Sequence, residues 1–365
     1  MDSTAKNPLM PPFSIQHTNG AARAGTLATA HGKIKTPFLM PVATKGSVKL
    51  LSHEEVEDTG TQCMIANAFI LSMKPGTEVI EKLGGLHKFM HWDGGLFTDS
   101  GGFQVLSKEF CLALTEKGVK FRNPFTGKSM IYTPEMAMEI QNTLGSDVAM
   151  CLDDVPNAGE PLERIKEAVR RTGEWAARCK QAHANKKQLL FGIAQGGTHE
   201  KLREQSTKQI IGLGFDGVAL GGLCIGETKN KMYDAIKSSI RLIPQETPRY
   251  LMGVGSIEEL EGAIAMGVDC FDSRFPTITA RHGRAFSTKG NINIDSAVHK
   301  EDSAPLDAEC KCFVCKKHSR AYIHHLFRTK EENAGKYLSF HNLFFVQQRM
   351  AQIRKRISEG NFLKK

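Results

Sequence analysis

The sequence predicts a (β/α)8 barrel, and three observations carry that prediction. Eight short apolar runs recur along the chain, mostly continuous rather than alternating, as strands buried on both faces are. Most of the gaps between them hold helical patterns, with apolar residues three and four apart and charges between. Several runs end in an acid, an amide or paired glycines, which is what strand ends look like where they deliver groups to one face of a barrel. A doubly wound open sheet is the alternative, because periodicity alone does not show closure.

Taken in order, residues 1–12 mix an acid, a lysine and prolines without an apolar core. They read as a disordered lead-in and not as a signal peptide. From Ser14 to Thr36 the turn residues Asn19-Gly20 and His31-Gly32 separate short alternating runs, which predicts hairpins. The eight runs follow at Pro37–Ala43, Gln62–Leu71, Gly95–Thr98, Val148–Leu152, Leu189–Ala194, Gly217–Leu220, Arg249–Val254 and Val268–Phe271. Helices are expected over Glu78–Phe89, Pro134–Leu144, Leu162–His183, Glu200–Leu213, Asn230–Ile243 and Ile257–Met266. Thr133-Pro134-Glu135 supplies an N-cap, an N1 proline and an acidic first turn. Two stretches leave the rhythm. Val105–Tyr132 is too long for a βα connection and reads as an inserted hairpin, and Arg284–Ser339 follows the eighth run.

The bulk numbers fit this reading. A chain of 365 residues with 41% hydrophobic and 24% charged residues suits one large α/β domain with no membrane segment. Lys and Arg outnumber Asp and Glu by 48 to 39, a formal charge of +9, which suits a polyanionic partner. Nine cysteines without a secretory signal point to thiols in a reducing, cytoplasmic compartment.

Cys310, Cys312 and Cys315 have the spacing CxCxxC, tight enough for one loop to place three thiolates around one ion. A fourth ligand would complete a tetrahedron, and His318, His324, His325 and His341 all lie downstream. With no open position such a zinc would be structural. Lys311, Lys316, Lys317, Arg320, Arg328, Lys330, Arg349, Arg354, Lys355 and Arg356 surround the module, as a phosphate-tracking surface would require. The fold class is therefore an α/β (β/α)8 TIM barrel with an inserted hairpin and a C-terminal zinc-binding subdomain. Residues 13–283 form the barrel, and 284–365 the zinc region with C-terminal basic helices.

At the strand ends stand Asp99-Ser100-Gly101-Gly102, Asp153-Asp154, Gln195-Gly196-Gly197, Gly221-Gly222-Leu223, Met252-Gly253-Val254-Gly255 and Asp272. Acids from three strands converge with an amide and exposed main chain, and without a catalytic histidine. That set suits chemistry at an electrophilic sugar carbon: one acid attacks, another moves a proton, and the transition state is cationic. The amide and the free backbone can read the edge of a planar base.

These residues sit in a series of longer motifs: Phe97-Thr98-Asp99-Ser100-Gly101-Gly102-Phe103-Gln104, Phe121-Arg122-Asn123-Pro124, Gly192-Ile193-Ala194-Gln195-Gly196-Gly197, Leu220 to Glu227, Tyr250 to Gly255, Phe271-Asp272, Arg281-His282-Gly283, the cysteine cluster, and His341-Asn342-Leu343. In that order they resemble the tRNA-guanine transglycosylases, or queuine tRNA-ribosyltransferases, over about residues 13–355. The resemblance implies exchange of the wobble guanine of GUN-anticodon tRNAs for a 7-deazaguanine base. It implies Asp272 as the nucleophile at ribose C1′ and Asp99 as the general base. It assigns Ser100, Phe103, Asp153, Gln195, Gly222, Leu223 and Met252 to the base site, with Phe103 and Met252 on its faces and Asp153, Gln195 and the Gly222 backbone on its polar edge. Arg281 falls near the RNA, and Cys310, Cys312, Cys315 and His341 bind one Zn2+.

The same resemblance implies a homodimer, or a heterodimer with an accessory subunit, and no organic cofactor. A non-catalytic tRNA-binding partner subunit is the competing reading, and retention of Asp99 and Asp272 argues against it. A barrel enzyme acting on a free nucleoside is a third, which predicts no salt-sensitive tRNA binding. Three departures stand out: Ser273-Arg274-Phe275-Pro276-Thr277-Ile278 follows the nucleophile where relatives place an arginine at the last position, Ile70 replaces a usual histidine, and Val155 and Ile225 point in different directions on the base. Val155 matches queuine-using enzymes, whereas the bulk of Ile225 favours the smaller preQ1.

Overall fold

A computed structural model describes residues 12–107, 109–157 and 159–364. Most of the expected lead-in therefore lies outside the described residues. Strands β1 (Phe13–Asn19), β2 (Ala22–Thr29) and β3 (Gly32–Thr36) form an antiparallel sheet around the two predicted turns. Eight parallel strands follow: β4 (Phe38–Pro41), β5 (Cys63–Asn67), β6 (Gly95–Asp99), then, after the insertion, β10 (Val148–Met150), β11 (Leu189–Ala194), β12 (Gly217–Leu220), β13 (Arg249–Leu251) and β14 (Cys270–Ser273). All eight fall on the predicted apolar runs. Each pairs with its neighbours in chain order, and β14 pairs back onto β4. The last seam, β4 against β5, is joined by a parallel bridge between Val42 and Ile65, with the Ala43 N–H donating to the Ile65 carbonyl at 2.8 Å. The sheet thus closes, which decides against the open doubly wound alternative.

Alternate residues of these strands point inward. Phe38, Met40, Ile65, Phe97, Met150, Phe191, Ile193 and Tyr250 pack into an inner core. Phe13, Leu27 and Ile34 of the first sheet join the same cluster. Because Ile34 meets Gly95 at the start of β6, that sheet plugs the amino-terminal floor of the barrel and leaves the carboxyl-terminal mouth free. A buried ion pair holds the plug: Arg23 donates to Asp269 at 2.8 and 2.5 Å and to the carbonyls of Gln245 and Thr247.

Helices Pro134–Leu144, Leu162–Ala182, Glu200–Gly212, Lys229–Ile240 and Ile257–Ala265 match their predicted ranges to within a few residues. The helix expected over Glu78–Phe89 is two, Thr77–Lys82 and Leu86–Met90, broken where Gly84 and Gly85 take positive φ. The insertion is a three-stranded antiparallel sheet and not a hairpin: β7 (Cys111–Leu114), β8 (Val119–Arg122) and β9 (Ser129–Tyr132). Phe121 and Tyr132 anchor it edge-on against Phe69 at 5.0 Å.

After β14 and the helix Phe275–Arg281, the chain forms the small ribbon β15 (Arg284–Ala285) and β16 (Ile292–Asn293), then the cysteine loop. It returns as the 27-residue helix Glu332–Ser358. That helix lies against the barrel: Gln347 donates to the Leu39 carbonyl, Arg354 to the Pro37 carbonyl, Arg349 pairs with Glu261 and Lys336 with Glu55. It therefore stands between the first and seventh helices of the ring and supplies the eighth. No described helix is long and apolar enough to cross a membrane.

Candidate active site and metal centre

The carboxyl ends of β6, β10 and β14 bring three acids to the mouth of the barrel. Asp99 ends β6, where Asn67 at the end of β5 donates to its Oδ2 at 3.3 Å. Burial pushes the Asp99 carboxyl up to about 6; the Gly101 and Ser100 N–H groups oppose the rise and the Asp272 charge adds to it. Asp272, on β14, has one oxygen committed. Its Oδ1 accepts from the Tyr250 hydroxyl at 2.7 Å and from the Gly253 N–H at 2.8 Å, which leaves Oδ2 for chemistry. Burial raises this carboxyl as well, and those two donors hold it down. Asp153 is buried beyond β10, and its Oδ2 accepts from Gln195 Nε2 at 2.6 Å. Burial, and after it the Asp99 charge, push Asp153 up to about 7.

The two aspartates at the end of β10 face opposite ways. Asp154 is fully buried and is clamped by Arg164 at 2.9 and 2.5 Å and by Arg171 at 2.6 Å. It locks the start of helix Leu162–Ala182 to the strand end, so its charge is consumed structurally and it leaves the chemical set.

Around Asp153 the main chain is pared back to glycine for a steric reason. A Cβ on Gly102 would sit 2.8 Å from Asp153 Oδ1, and one on Gly222 would sit 2.3 Å from Gln195 Oε1. Gly222 also has φ +65°. Gln195 Oε1 is buried and has no hydrogen-bond partner among the described residues. An orphaned acceptor of that kind costs about 1–3 kcal/mol unless a ligand donates to it. Arg203 fixes the walls by donating to the carbonyls of Ala194, Gly197 and Gly221. The loop after Gly222 is held by Glu227, whose carboxylate accepts from the Cys224 and Ile225 N–H groups.

Phe103, on the short helix Gly102–Val105, is 55% exposed. Met252 is half-buried on the inner core. Ser100 is fully buried and its hydroxyl accepts from Gly102, while its carbonyl accepts from Tyr132. Leu223 is buried. Arg281 is half-buried and donates to the Thr277 carbonyl of its own helix. Sequence reasoning did not give roles to Tyr250 and Asn67. Asn67 had a signal, as the polar end of the apolar run of β5, whereas Tyr250, beside Arg249, had none.

The metal ligands also converge. Cys310, Cys312, Cys315 and His341 place their ligand atoms within 4.8 Å of one another. His341 Nδ1 lies 3.6, 3.5 and 3.3 Å from the three sulfurs, the edge lengths of a tetrahedron around zinc with bonds of about 2.0–2.3 Å. The other ring nitrogen, Nε2, is 2.7 Å from the Phe286 carbonyl, which keeps the proton there and turns the Nδ1 lone pair inward. Four ligands and no open position make this a site for structural zinc. His324, by contrast, is hydrogen-bonded to the Ile294 carbonyl.

A closed parallel barrel with carboxylates gathered at its carboxyl-terminal mouth, and a closed Cys3His centre beside its last helix, defines a barrel enzyme with a structural metal. Comparison with known proteins narrows this. The family model described as Queuine tRNA-ribosyltransferase matches residues 18–365. Proteins named Queuine tRNA-ribosyltransferase from Thermoanaerobacter pseudethanolicus and Thiobacillus denitrificans are each 44% identical, the first over 94% of this chain and 92% of its own length, the second over 96% and 95%. One from Idiomarina loihiensis is 43% identical over 96% and 94%. The chain belongs to the queuine tRNA-ribosyltransferase family.

Proposed function

We propose that this chain, a pentosyltransferase, exchanges the wobble guanine of GUN-anticodon tRNAs for a 7-deazaguanine base through a covalent ribosyl-aspartate intermediate. The observation that carries the mechanism is the asymmetry of Asp272. With Oδ1 held by Tyr250 and Gly253, Oδ2 is the free oxygen, aimed by two fixed donors. It attacks C1′ of the ribose, the glycosidic bond to guanine breaks, and guanine leaves with that bond's electron pair. Asp99, poised near 6, then takes a proton from the incoming base, whose nitrogen attacks C1′ and displaces the Asp272 carboxylate. One glycosidic bond replaces another, so no redox group or ATP is needed.

The base is read by Asp153, by the unpartnered Oε1 of Gln195 and by the Gly222 main chain, with Phe103 and Met252 on its faces. Ser100 shapes the loop from beneath, Leu223 backs the far wall, and Arg281 stands toward the RNA. Zinc at Cys310, Cys312, Cys315 and His341 fixes the fold of the returning chain and takes no chemical step. The chain works in the cytoplasm as a homodimer, with residues 13–283 as the barrel and 284–365 as the zinc region. Among incoming bases, the bulk of Ile225 beside the site favours preQ1 over queuine.

The test is Asp272→Asn. The parent should exchange radiolabelled guanine in a GUN-anticodon tRNA and leave a denaturation-resistant protein–RNA adduct, and the variant should do neither. Undiminished exchange by the variant refutes the assignment.

A further inference from the structure

We propose that His31, His87 and Asp147 form a second metal site, for a divalent first-row transition cation such as Zn2+, Ni2+ or Co2+, on the floor of the barrel opposite the active site. The three residues are far apart in the chain and meet only through the fold. His31 sits in the turn between β2 and β3, His87 lies in helix Leu86–Met90, and Asp147 immediately precedes β10.

One ligand atom from each lies within 4.8 Å of the others. Asp147 Oδ1 is 2.9 Å from His31 Nδ1 and Oδ2 is 3.2 Å from His87 Nε2. The carboxylate is held from behind, where the backbone N–H groups of His31 and Leu96 donate to its two oxygens at 3.0 and 2.9 Å. Such outer contacts are what orient a metal-binding carboxylate.

The donor chemistry selects the class of ion. Two imidazoles and one carboxylate suit borderline cations, whereas Mg2+ and Ca2+ call for all-oxygen sets. There is also a way in. A cavity of about 300 Å³ adjoins the cluster, lined by His31 and His87 together with Glu81 and Lys88, and it has room for water on the remaining positions. The two rings are stacked, with centroids 3.5 Å apart. A cation about 2.0–2.2 Å from each donor atom needs them to splay. His31 can do this, because its side chain is 41% exposed on a turn, while His87 and Asp147 are buried. On binding, His31 Nδ1 and His87 Nε2 present lone pairs and their protons move to the other ring nitrogens or to solvent, and His87 Nε2 gives up its 3.2 Å contact with the Gly94 carbonyl. The ion then adds a bond between the plug sheet and the barrel wall, where the His31 ring and backbone N–H already meet Asp147.

The test uses untagged full-length protein already carrying one zinc per chain. Ni2+ is titrated calorimetrically, with bound metal counted after dialysis. The parent should take up a second metal equivalent, and His31→Ala should weaken that uptake at least tenfold with the zinc content unchanged. His31→Gln, which keeps the turn's bulk and polarity, should behave like His31→Ala. Co2+ bound at the second site should show no sulfur-to-metal charge-transfer band, since no thiolate is present. Saturation without a second equivalent overturns the proposal, as does equal uptake by the parent and both His31 variants.

Discussion

Gly222→Ala separates two effects that a single structure shows side by side. Gly222 has φ +65°, so any side chain there meets left-handed strain of about 1–2 kcal/mol. The added methyl would also lie 2.3 Å from Gln195 Oε1, too close to tolerate. The amide must move, and with it goes the 2.6 Å hydrogen bond to Asp153. A hydrogen bond to a charged group contributes about 1.5–3 kcal/mol. Strain acts on the folded protein whether or not substrate is bound, so it appears as lost thermal stability. The displaced amide weakens the free protein too, but it alone also disturbs the base site, where it should appear as a loss of kcat/KM of roughly 10- to 150-fold. Gly145→Ala is the control. Its φ is +67° with nothing within 4 Å of the added atom, so it should lower Tm by less than Gly222→Ala and leave exchange unchanged. The assay is steady-state exchange of radiolabelled guanine with GUN-anticodon tRNA, run beside a thermal melt. A Gly222→Ala enzyme with kcat/KM within about twofold of the parent would refute the argument that the Gln195–Asp153 pair requires a bare main chain at 222.

Four other outcomes are expected. Exchange should fall as pH drops through the range from about 7 to about 6, because Asp153 and Asp99 must be ionised and burial has raised both; a flat profile to pH 5 would contradict this. The same shift has a stability consequence: a carboxyl raised when folded favours the fold at low pH and loses that contribution as pH rises through its folded value, so at pH 8 Asp99→Asn should melt higher than the parent by the equivalent of about 1–3 kcal/mol while exchanging nothing. Chelation of zinc, or Cys312→Ser, should expose the stretch 284–331 to limited proteolysis before the barrel is cut, and metal content unchanged in that variant would exclude Cys312 as a ligand. Asp154→Ala removes both Arg164 hydrogen bonds and one of those made by the buried Arg171, which keeps Glu116 and Glu167, so chemical denaturation should show a loss of about 3 kcal/mol, with the remaining folded protein exchanging at the parent rate per molecule.

The parallel sheet was legible because strands enclosed by helices bury both faces and read as continuous apolar runs such as Leu189–Ala194, while its closure needed the fold. The final helix was expected only as one of the basic C-terminal helices, without bounds. Glu332–Ser358 carries apolar residues around much of its girth, from Leu338 and Phe340 to Phe344 and Phe345, because it is gripped by the barrel on one side and by the zinc loop on another. A helix covered on several sides loses the one-sided stripe that sequence reading relies on. In the site, strand-end position found Asp99, Asp153 and Asp272. It could not distinguish Asp153 from Asp154, since adjacent residues point to opposite faces and only the fold brings Arg164 and Arg171 to one of them. The link from Tyr250 to Asp272 spans two strands and leaves no local trace.

The returning helix has a kinetic meaning as well as a structural one. Gln347 reaches Leu39 and Arg354 reaches Pro37, contacts between residues more than 300 positions apart. Pairings of that span are the slowest to form, since their loop-closure entropy comes due before any contact rewards it. The junction of β14 with β4, which this helix covers, is therefore the natural last step of folding. The metal loop lies between the eighth strand and the helix that covers this junction, so it shortens the path that helix must search. Zinc supply during synthesis would then set how quickly the ring closes, even though the ion stands apart from the chemistry.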